Sequence, residues 1–243
     1  MSRNLVLDCD SYKVTHPKQY PEGMTYMHSY IESRGGLYGY TKFFGLQYYL
    51  KKYLSKKVTK EMIDEAEEIF KLHGVPFDRS GWDYIVNELD GHLPLRIRAV
   101  PEGAIIPNHN VLVTIESTCE KTPWLVSWLE PLILKVWYPT TVATYSFKTK
   151  QIIRHFLDIT SDNTESELPF KFHDRGASSE ETAAIGGLAH LTNFKGTDNI
   201  NSLELGRRYY SCPIPGFSIP AAEHSTVTSW GRDKEKDAMK HII

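Results

Sequence analysis

The chain has 243 residues, of which 41% are hydrophobic, so it can bury the core of one large or two modest domains. Its formal net charge of −2 gives no electrostatic argument for a nucleic acid or a membrane surface as a partner. The cysteines Cys9, Cys119 and Cys212 are widely spaced and form no CxxC motif, which favours a reducing compartment. Asp8 comes too early for the apolar region of a signal peptide, and no apolar run reaches the roughly 20 residues of a membrane span. We therefore expect a soluble, cytoplasmic protein.

The N-terminal stretch combines a short apolar segment with a dense group of polar side chains. Leu5–Leu7 is predicted to form a strand, and acidic, hydroxyl, aromatic and basic residues follow it over Asp8–Lys13. Asp10 could contribute to a site or only cap a helix. Large alternating residues over Tyr26–Arg34 then predict a second strand.

Helical spacing of apolar residues follows over Phe43–Leu54, and Thr59 is a good N-cap for another helix. Further along the chain, apolar residues recur at every second position, which predicts an antiparallel meander of three strands. These strands are Leu95–Ala99, Ala104–Ile106 and Val111–Ile115.

A strongly apolar helix is predicted over Trp124–Trp137, and Pro131 should kink or split it. Its tryptophans are expected in the core or in a dimer interface. An amphipathic helix is predicted over Ala143–Leu157, and the polar segment Thr160–Glu167 then suggests a domain boundary.

Beyond this boundary, strand and helix patterns alternate, as in a parallel sheet or barrel. A capping box of Ser178 and Glu181 opens the first of these helices. The predicted strands are Phe170–His173, Thr192–Lys195 and Phe217–Ile219, and the predicted helices are Ser178–Leu191, Asn199–Tyr210 and Asp233–Ile243.

Charged residues follow each of these three strands. They are Asp174 and Arg175, then Asp198, then Glu223 and His224. Because parallel strands end on one side of a sheet, we expect these groups to converge into a site. For His224 the alternative is a histidine that only caps a loop.

The fold class is therefore α/β, with an N-terminal α+β domain over residues 1–160 and the first βα units of a barrel over residues 161–243. A closed barrel needs eight such units and only three are present, so the chain is expected to stop in the middle of a fold.

Six motifs, in this order, resemble the nicotinamide phosphoribosyltransferase family across essentially the whole chain, which implies a type II phosphoribosyltransferase-like fold. They are Asp10–His16, Gly91–Pro94, Ala99–Gly103, Trp137–Pro139, Asn193–Asp198 and Pro220–Thr226. The resemblance implies transfer of phosphoribose from phosphoribosyl pyrophosphate to nicotinamide. The products would be nicotinamide mononucleotide and pyrophosphate, in the salvage of NAD.

The resemblance also assigns roles to individual residues. Asp198 would accept a hydrogen bond from the carboxamide, which would select the amide over nicotinate. Tyr12, with Asp10 beside it, matches an aromatic residue that stacks on the pyridine ring from the neighbouring subunit of a homodimer. Arg34 and Arg175 match phosphate contacts.

Two further residues take roles from the resemblance. Ser218 would line the pocket, and His224 matches a histidine that ATP phosphorylates. The implied partners are nicotinamide, phosphoribosyl pyrophosphate with Mg²⁺, and ATP.

Two departures from the family pattern bear on activity. Where the family reads His-Asp-Phe-Gly-Tyr-Arg-Gly, this chain reads His173-Asp174-Arg175-Gly176, so an aromatic partner for nicotinamide is absent. The chain also ends about halfway along the family's length, and we expect it to be inactive by itself. The alternatives are a non-catalytic relic, a dimerising half of a split enzyme, and a nicotinate phosphoribosyltransferase.

Overall fold

A computed structural model describes residues 4–162 and 175–242 of the chain. The strands are β1 (His28–Glu32), β2 (Tyr40–Lys42), β3 (Leu95–Ala99), β4 (Ile105–Pro107) and β5 (Val111–Ser117). The α-helices are α1 (Leu46–Tyr49), α2 (Lys60–His73), α3 (Ser80–Glu88), α4 (Leu125–Trp128), α5 (Glu130–Ile133), α6 (Trp137–Thr160), α7 (Glu180–His190), α8 (Ile200–Tyr210), α9 (His224–Thr228) and α10 (Glu235–Lys240). A π-helical turn (Leu50–Leu54) continues α1, and 3₁₀ helices cover Leu5–Leu7, Ser11–Lys18, Leu134–Val136 and Arg232–Lys234.

The strands form two antiparallel sheets, one with the order β1-β5-β3 and the other made of β2 and β4. The predicted meander is therefore wrong in one respect, because β4 leaves the sheet that β3 and β5 share. The backbone of Phe43 explains the change: its N–H donates to Ala104 at 3.0 Å and its carbonyl accepts from Gly103 at 2.7 Å. These two bonds extend the pairing of β2 with β4.

The predicted strand at Leu5–Leu7 is also wrong, because this segment is a 3₁₀ helix. Asn4 Oδ1 accepts the N–H of Val6 at 2.9 Å and so closes a local turn. The indole of Trp128 donates to the carbonyl of Val6 at 3.1 Å. The apolar segment is thus buried without a place in a sheet.

The helix signals in the first half are confirmed. Thr59 caps α2, its hydroxyl accepting the N–H of Met62. The apolar segment around Pro131 is split into α4, α5 and a 3₁₀ turn, and Pro131 lies in the first turn of α5, where its missing N–H costs no helical bond. The predicted helix at Ala143–Leu157 is part of the longer α6.

The core of the first half is built around three tryptophans. The rings of Trp82, Trp124 and Trp128 pack edge to face with centroids 5.2 to 5.4 Å apart, and all three are buried. The prediction that Trp124 and Trp128 are core residues is confirmed.

The second described range contains fewer strand residues than predicted. Phe170–His173 lies outside the described residues, and Thr192–Lys195 is a turn. A single parallel bridge joins Gly196 to Phe217, with Thr197 N–H donating to the carbonyl of Phe217 at 2.9 Å. The parallel direction agrees with the βα pattern.

Two details of the second-half helices differ from prediction. The N-cap of α7 is Ser179 rather than Ser178, and its hydroxyl accepts the N–H of Thr182 at 3.1 Å. The helix predicted over Asp233–Ile243 is shorter, because α10 covers only Glu235–Lys240, with Ala238 buried and Met239 exposed.

Side chains of the first half bond directly to the second. Asn193 donates to the carbonyl of Ala143 at 2.9 Å, and Ser146 shares a hydrogen bond with His190 at 2.8 Å. A boundary near residue 160 remains a prediction, and α7 packs closely on α6 across it. Within the described ranges, no helix has both the length and the apolar composition needed to cross a membrane.

Candidate functional site

Asp198 and Ser218 meet where the parallel bridge ends. The hydroxyl of Ser218 donates to Asp198 Oδ1 at 2.5 Å. Thr197 is buried one residue earlier, and its hydroxyl accepts the N–H of Asn199 at 3.0 Å. Asn199 then caps α8, so the backbone on both sides of Asp198 is fixed while its carboxylate stays exposed. Of the strand-end groups expected to converge, Asp198 lies just after the bridge, where it bonds Ser218 of the predicted third strand, and the convergence itself stays a prediction.

Tyr12 projects from a 3₁₀ helix that Lys13 anchors. Lys13 is only 2% exposed, and its ammonium group donates to the carbonyl of Ser127 at 3.0 Å and to the carboxylate of Glu130. Because the side chain of Lys13 points inward, the neighbouring side chain of Tyr12 faces solvent and is 60% exposed. Asp10 Oδ2 lies 3.9 Å from Lys13 Nζ. A stable anchor thus presents an aromatic ring and a carboxylate to solvent.

Arg34 follows β1 at the edge of a surface hollow of about 800 Å³. Glu130 lines the same hollow and also accepts the hydrogen bond from Lys13. Glu130 therefore lies between the anchored Tyr12 segment and Arg34. Arg34 makes no hydrogen bond or ion pair within the described ranges, so its guanidinium can take an anionic ligand.

Arg175 and His224 are not brought into contact with these groups by the part of the chain that is described. Arg175 lies in an exposed turn and has no hydrogen bond or ion pair there. His224 is the first residue of α9 rather than a strand-end residue; its side chain is 87% exposed, and its Nδ1 lies 3.7 Å from Glu223 Oε2. Asp174 lies outside the described residues.

The sequence did not reveal a second polar centre at Glu181. The hydroxyl of Tyr48 donates to Glu181 Oε1 at 2.8 Å, that of Tyr53 donates to the same oxygen at 2.7 Å, and Lys52 Nζ lies at 3.3 Å. Burial opposes ionisation of Glu181, but the bonds from Tyr53 and Tyr48 outweigh it and lower the pKa of Glu181. This Glu181 network ties α1 and the π turn to α7.

The described ranges hold no group of three or more histidine, cysteine, aspartate or glutamate side chains placed to bind a metal ion. All three cysteines are free thiols. Burial, followed by the charges of Asp10 and Asp8, raises the pKa of Cys9 to about 12, so this thiol is not a nucleophile near neutral pH.

Comparison with known proteins gives two family matches. Residues 4–97 match the family described as "Nicotinamide phosphoribosyltransferase, N-terminal domain", and residues 170–242 match the "Nicotinate phosphoribosyltransferase (NAPRTase) family". The two matches lie on either side of α6 and together leave residues 98–169 without a family assignment.

Curated relatives cover the chain from end to end. It is 55% identical to a nicotinamide phosphoribosyltransferase of Xanthomonas campestris, over 99% of this chain and 52% of the relative. It is 27% identical to one of Acinetobacter baylyi, over 96% of this chain and 50% of the relative. The chain thus spans about half the length of the curated relatives it matches.

The fold resembles that in the crystal structure of human nicotinic acid phosphoribosyltransferase. The TM-score is 0.65, and the match covers 90% of this chain and 40% of that one. At 16% sequence identity this likeness concerns the fold alone, and it agrees with the predicted α/β, phosphoribosyltransferase-like class.

Proposed function

We propose that this chain belongs to the nicotinamide phosphoribosyltransferase family, whose N-terminal domain residues 4–97 match, and we infer its reaction from that premise. The chain would form the N-terminal part of an enzyme that transfers phosphoribose from phosphoribosyl pyrophosphate to nicotinamide. The ring nitrogen of nicotinamide would bond to C1 of the ribose, and the bond from C1 to the pyrophosphate oxygen would break. Its electron pair leaves with pyrophosphate, and nicotinamide mononucleotide is the other product.

This reaction needs no general base, because the pyridine nitrogen already carries a free electron pair. The protein must instead hold the two substrates in line and stabilise the positive charge that develops on the ribose. Side chains that orient and neutralise are therefore more important than a nucleophile, and the exposed polar groups described above are of that kind.

The hydrogen bond from Ser218 to Asp198 is the observation that carries the proposal. It orients the exposed carboxylate of Asp198, whose two oxygens can accept several hydrogen bonds and so could also accept from the NH₂ of a carboxamide. Nicotinate would bring a second carboxylate to the same place, where like charges repel. The pair therefore favours nicotinamide over nicotinate.

Tyr12 and Asp10 would serve the site of a second subunit in a homodimer. The exposed ring of Tyr12 is held outward by the buried Lys13 and offers a face for stacking on a pyridine ring. The guanidinium groups of Arg34 and Arg175 would bind phosphate groups, for which bidentate donors are well suited. Mg²⁺ would arrive on the phosphates of the substrate.

Replacement of Asp198 tests the assignment. In the polypeptide that carries this chain, Asp198→Asn should raise the KM for nicotinamide about tenfold, since a charged hydrogen bond is lost, and should relax the exclusion of nicotinate. The matched control is Asp233→Asn, in an exposed 3₁₀ turn, which should change neither value. Unchanged constants for both substrates in Asp198→Asn would remove Asp198 from the site.

His224 would be the acceptor of a phosphoryl group from ATP. A ring nitrogen would attack the γ-phosphorus and ADP would leave, and the 87% exposed imidazole is open to this attack. With γ-labelled ATP we expect acid-labile, base-stable label on His224 and none on His224→Ala. His241 is a control histidine, and label that persists in His224→Ala but disappears in His241→Ala would contradict the role.

A further inference from the structure

A group of four basic side chains lies where α6 faces β2 and the turn after α7. We call Lys42, Lys150, Arg154 and Lys195 the basic cluster. Lys150 and Arg154 are four residues apart and share one face of α6. Phe147, one turn before Lys150 on that face, has its ring centre 5.5 Å from Lys42 Nζ. The cluster therefore combines residues from β2, from α6 and from the segment after α7.

Lys42 forms the rigid base of the cluster. It is only 8% exposed, and its ammonium group donates to the carbonyl of Thr192 at 3.0 Å and to Asn193 Oδ1 at 2.5 Å. Both acceptors are neutral, and an ammonium group has three hydrogens to donate. The amide of Asn193 is itself held by the carbonyl of Ala143 at 2.9 Å. The ammonium group of Lys42 is thus fixed in position, and one of its three N–H donors remains available.

The cationic charges of the cluster repel one another. Burial and then the charge of Lys150 lower the pKa of Lys42 to about 8. Burial and then the charges of Arg154 and Lys195 lower the pKa of Lys150. Within residues 4–162 and 175–242, no carboxylate pairs with Lys42, Lys150 or Arg154. Lys42 is the buried member of the cluster, and a buried ammonium group without a carboxylate partner is costly, so an anion at this position would relieve the cost.

Several other buried or half-buried cations in the described ranges have carboxylate partners. Lys13 is paired with Glu130, Lys52 with Glu181, and Arg79 bonds three carboxylates. The two buried lysines of the described ranges therefore differ, because a carboxylate pairs with Lys13 and only neutral groups approach Lys42. This difference leaves a place for an anionic ligand at Lys42.

We propose that the basic cluster is an anion site that binds a phosphate group, with Lys42 at its base and Lys150, Arg154 and Lys195 around it. One oxygen of the tetrahedral phosphate group accepts a hydrogen bond from the third N–H of Lys42. The other oxygens of the phosphate accept hydrogen bonds from the surrounding cations. The rings of Phe147 and Tyr40, with centroids 5.7 Å apart, form an aromatic wall beside it. Such a wall also suits an aromatic group attached to the phosphate.

The anion site shares no residue with the Asp198–Ser218 pair. Lys195 precedes the parallel bridge, and Asp198 follows it. The site also shares no residue with Arg34, Arg175 or His224, to which the proposed transfer reaction assigns the phosphates. It is therefore an additional site that transfer does not use.

Titration with inorganic phosphate and with phenyl phosphate, followed by calorimetry and ³¹P NMR, tests the site. We expect saturable binding of at least one ligand, weakened about tenfold or more in Lys150→Gln and in Lys42→Met, because each removes a charged hydrogen bond. Lys148→Gln is the matched control. It removes an equal charge from α6, but two residues correspond to about 200° around a helix, so it should leave binding unchanged.

The results separate the possible sources of the phosphate group. Tighter binding of phenyl phosphate than of inorganic phosphate indicates an aromatic phosphate ester, and equal binding indicates the free ion. Binding that survives Lys150→Gln, or that is lost in an Arg34→Gln, Arg175→Gln double variant, would overturn the proposal. So would the absence of saturable binding of either ligand. Asp198→Asn should leave phosphate binding intact, so the anion site and the proposed transfer reaction can fail independently.

Discussion

Glu181→Gln should destabilise the fold by far more than a surface change, because it breaks the Glu181 network. The carboxylate accepts hydrogen bonds from Tyr48 and Tyr53 and pairs with Lys52 at 3.3 Å. A glutamine keeps one acceptor oxygen, but its NH₂ group cannot accept from a tyrosine hydroxyl. Because both hydroxyls donate to Oε1, a glutamine oxygen there keeps both hydrogen bonds only as neutral ones, and the ion pair with Lys52 is lost while the shape is nearly unchanged.

The size of the effect follows from these contacts. A hydrogen bond to a charged group contributes about 1.5 to 3 kcal/mol and a neutral one about 0.5 to 1.5 kcal/mol, so each of the two bonds weakens by about 1 kcal/mol. The pair with Lys52 adds about 0.5 kcal/mol, because both side chains are close to one third exposed and solvent screens their attraction. We expect a loss of about 2 to 3 kcal/mol in the free energy of unfolding.

Glu180→Gln is the matched control for this change. Glu180 is the exposed neighbour of Glu181 in the first turn of α7, so both variants lose a favourable interaction with the helix dipole of about 0.3 to 1 kcal/mol. Urea unfolding should give equal slopes and a lower midpoint for Glu181→Gln. In a double-mutant cycle, Tyr53→Phe and Glu181→Gln should couple by about 1 kcal/mol. Equal midpoints for the two glutamine variants, or a coupling energy of zero, would refute the reasoning.

Three further predictions concern packing, pH and capping. Gly187→Ala should cost about 2 kcal/mol or more in unfolding free energy, because its Cβ would overlap the hydroxyl of Ser202 between α7 and α8, whereas Gly39→Ala, with open space around it, should cost far less. Folding lowers the pKa of Glu181, so the ionised carboxylate stabilises the fold above its unfolded pKa of about 4.3, and this stabilisation is lost as the pH falls through the folded pKa. The difference in unfolding free energy between wild type and Glu181→Gln should therefore shrink in acid titrations. Thr59→Ala should lose about 1 kcal/mol and Thr59→Ser much less, as measured by urea unfolding, since only the serine keeps the cap of α2.

Local signals in the sequence predicted local structure well. The hydroxyl of Thr59, the ring of Pro131 and the apolar spacing around Trp124 and Trp128 act over a few residues, and the structure confirms each of them. Leu5–Leu7 shows the limit of such signals. An apolar triplet is compatible with a strand or with a buried turn, and a distant contact to Trp128 decides between them.

Side chains that act over long distances in the chain could not be assigned from the sequence. Lys42 bonds Asn193, 151 residues away, and Tyr48 bonds Glu181, 133 residues away. Asp198 was predicted at a strand end by the rule for parallel sheets, but its hydrogen bond with Ser218, 20 residues away, was not predicted. No such rule applies to Lys42 or Glu181, so their partners appear only in the folded chain.

The identity of the product tests the central proposal most directly. The polypeptide that carries this chain should be incubated with phosphoribosyl pyrophosphate, Mg²⁺ and equal amounts of nicotinamide and nicotinate, and the two mononucleotides separated by chromatography. We predict that nicotinamide mononucleotide forms in large excess and that Asp198→Asn reduces this excess. Preferential formation of nicotinate mononucleotide, or a product ratio that Asp198→Asn leaves unchanged, would contradict the account.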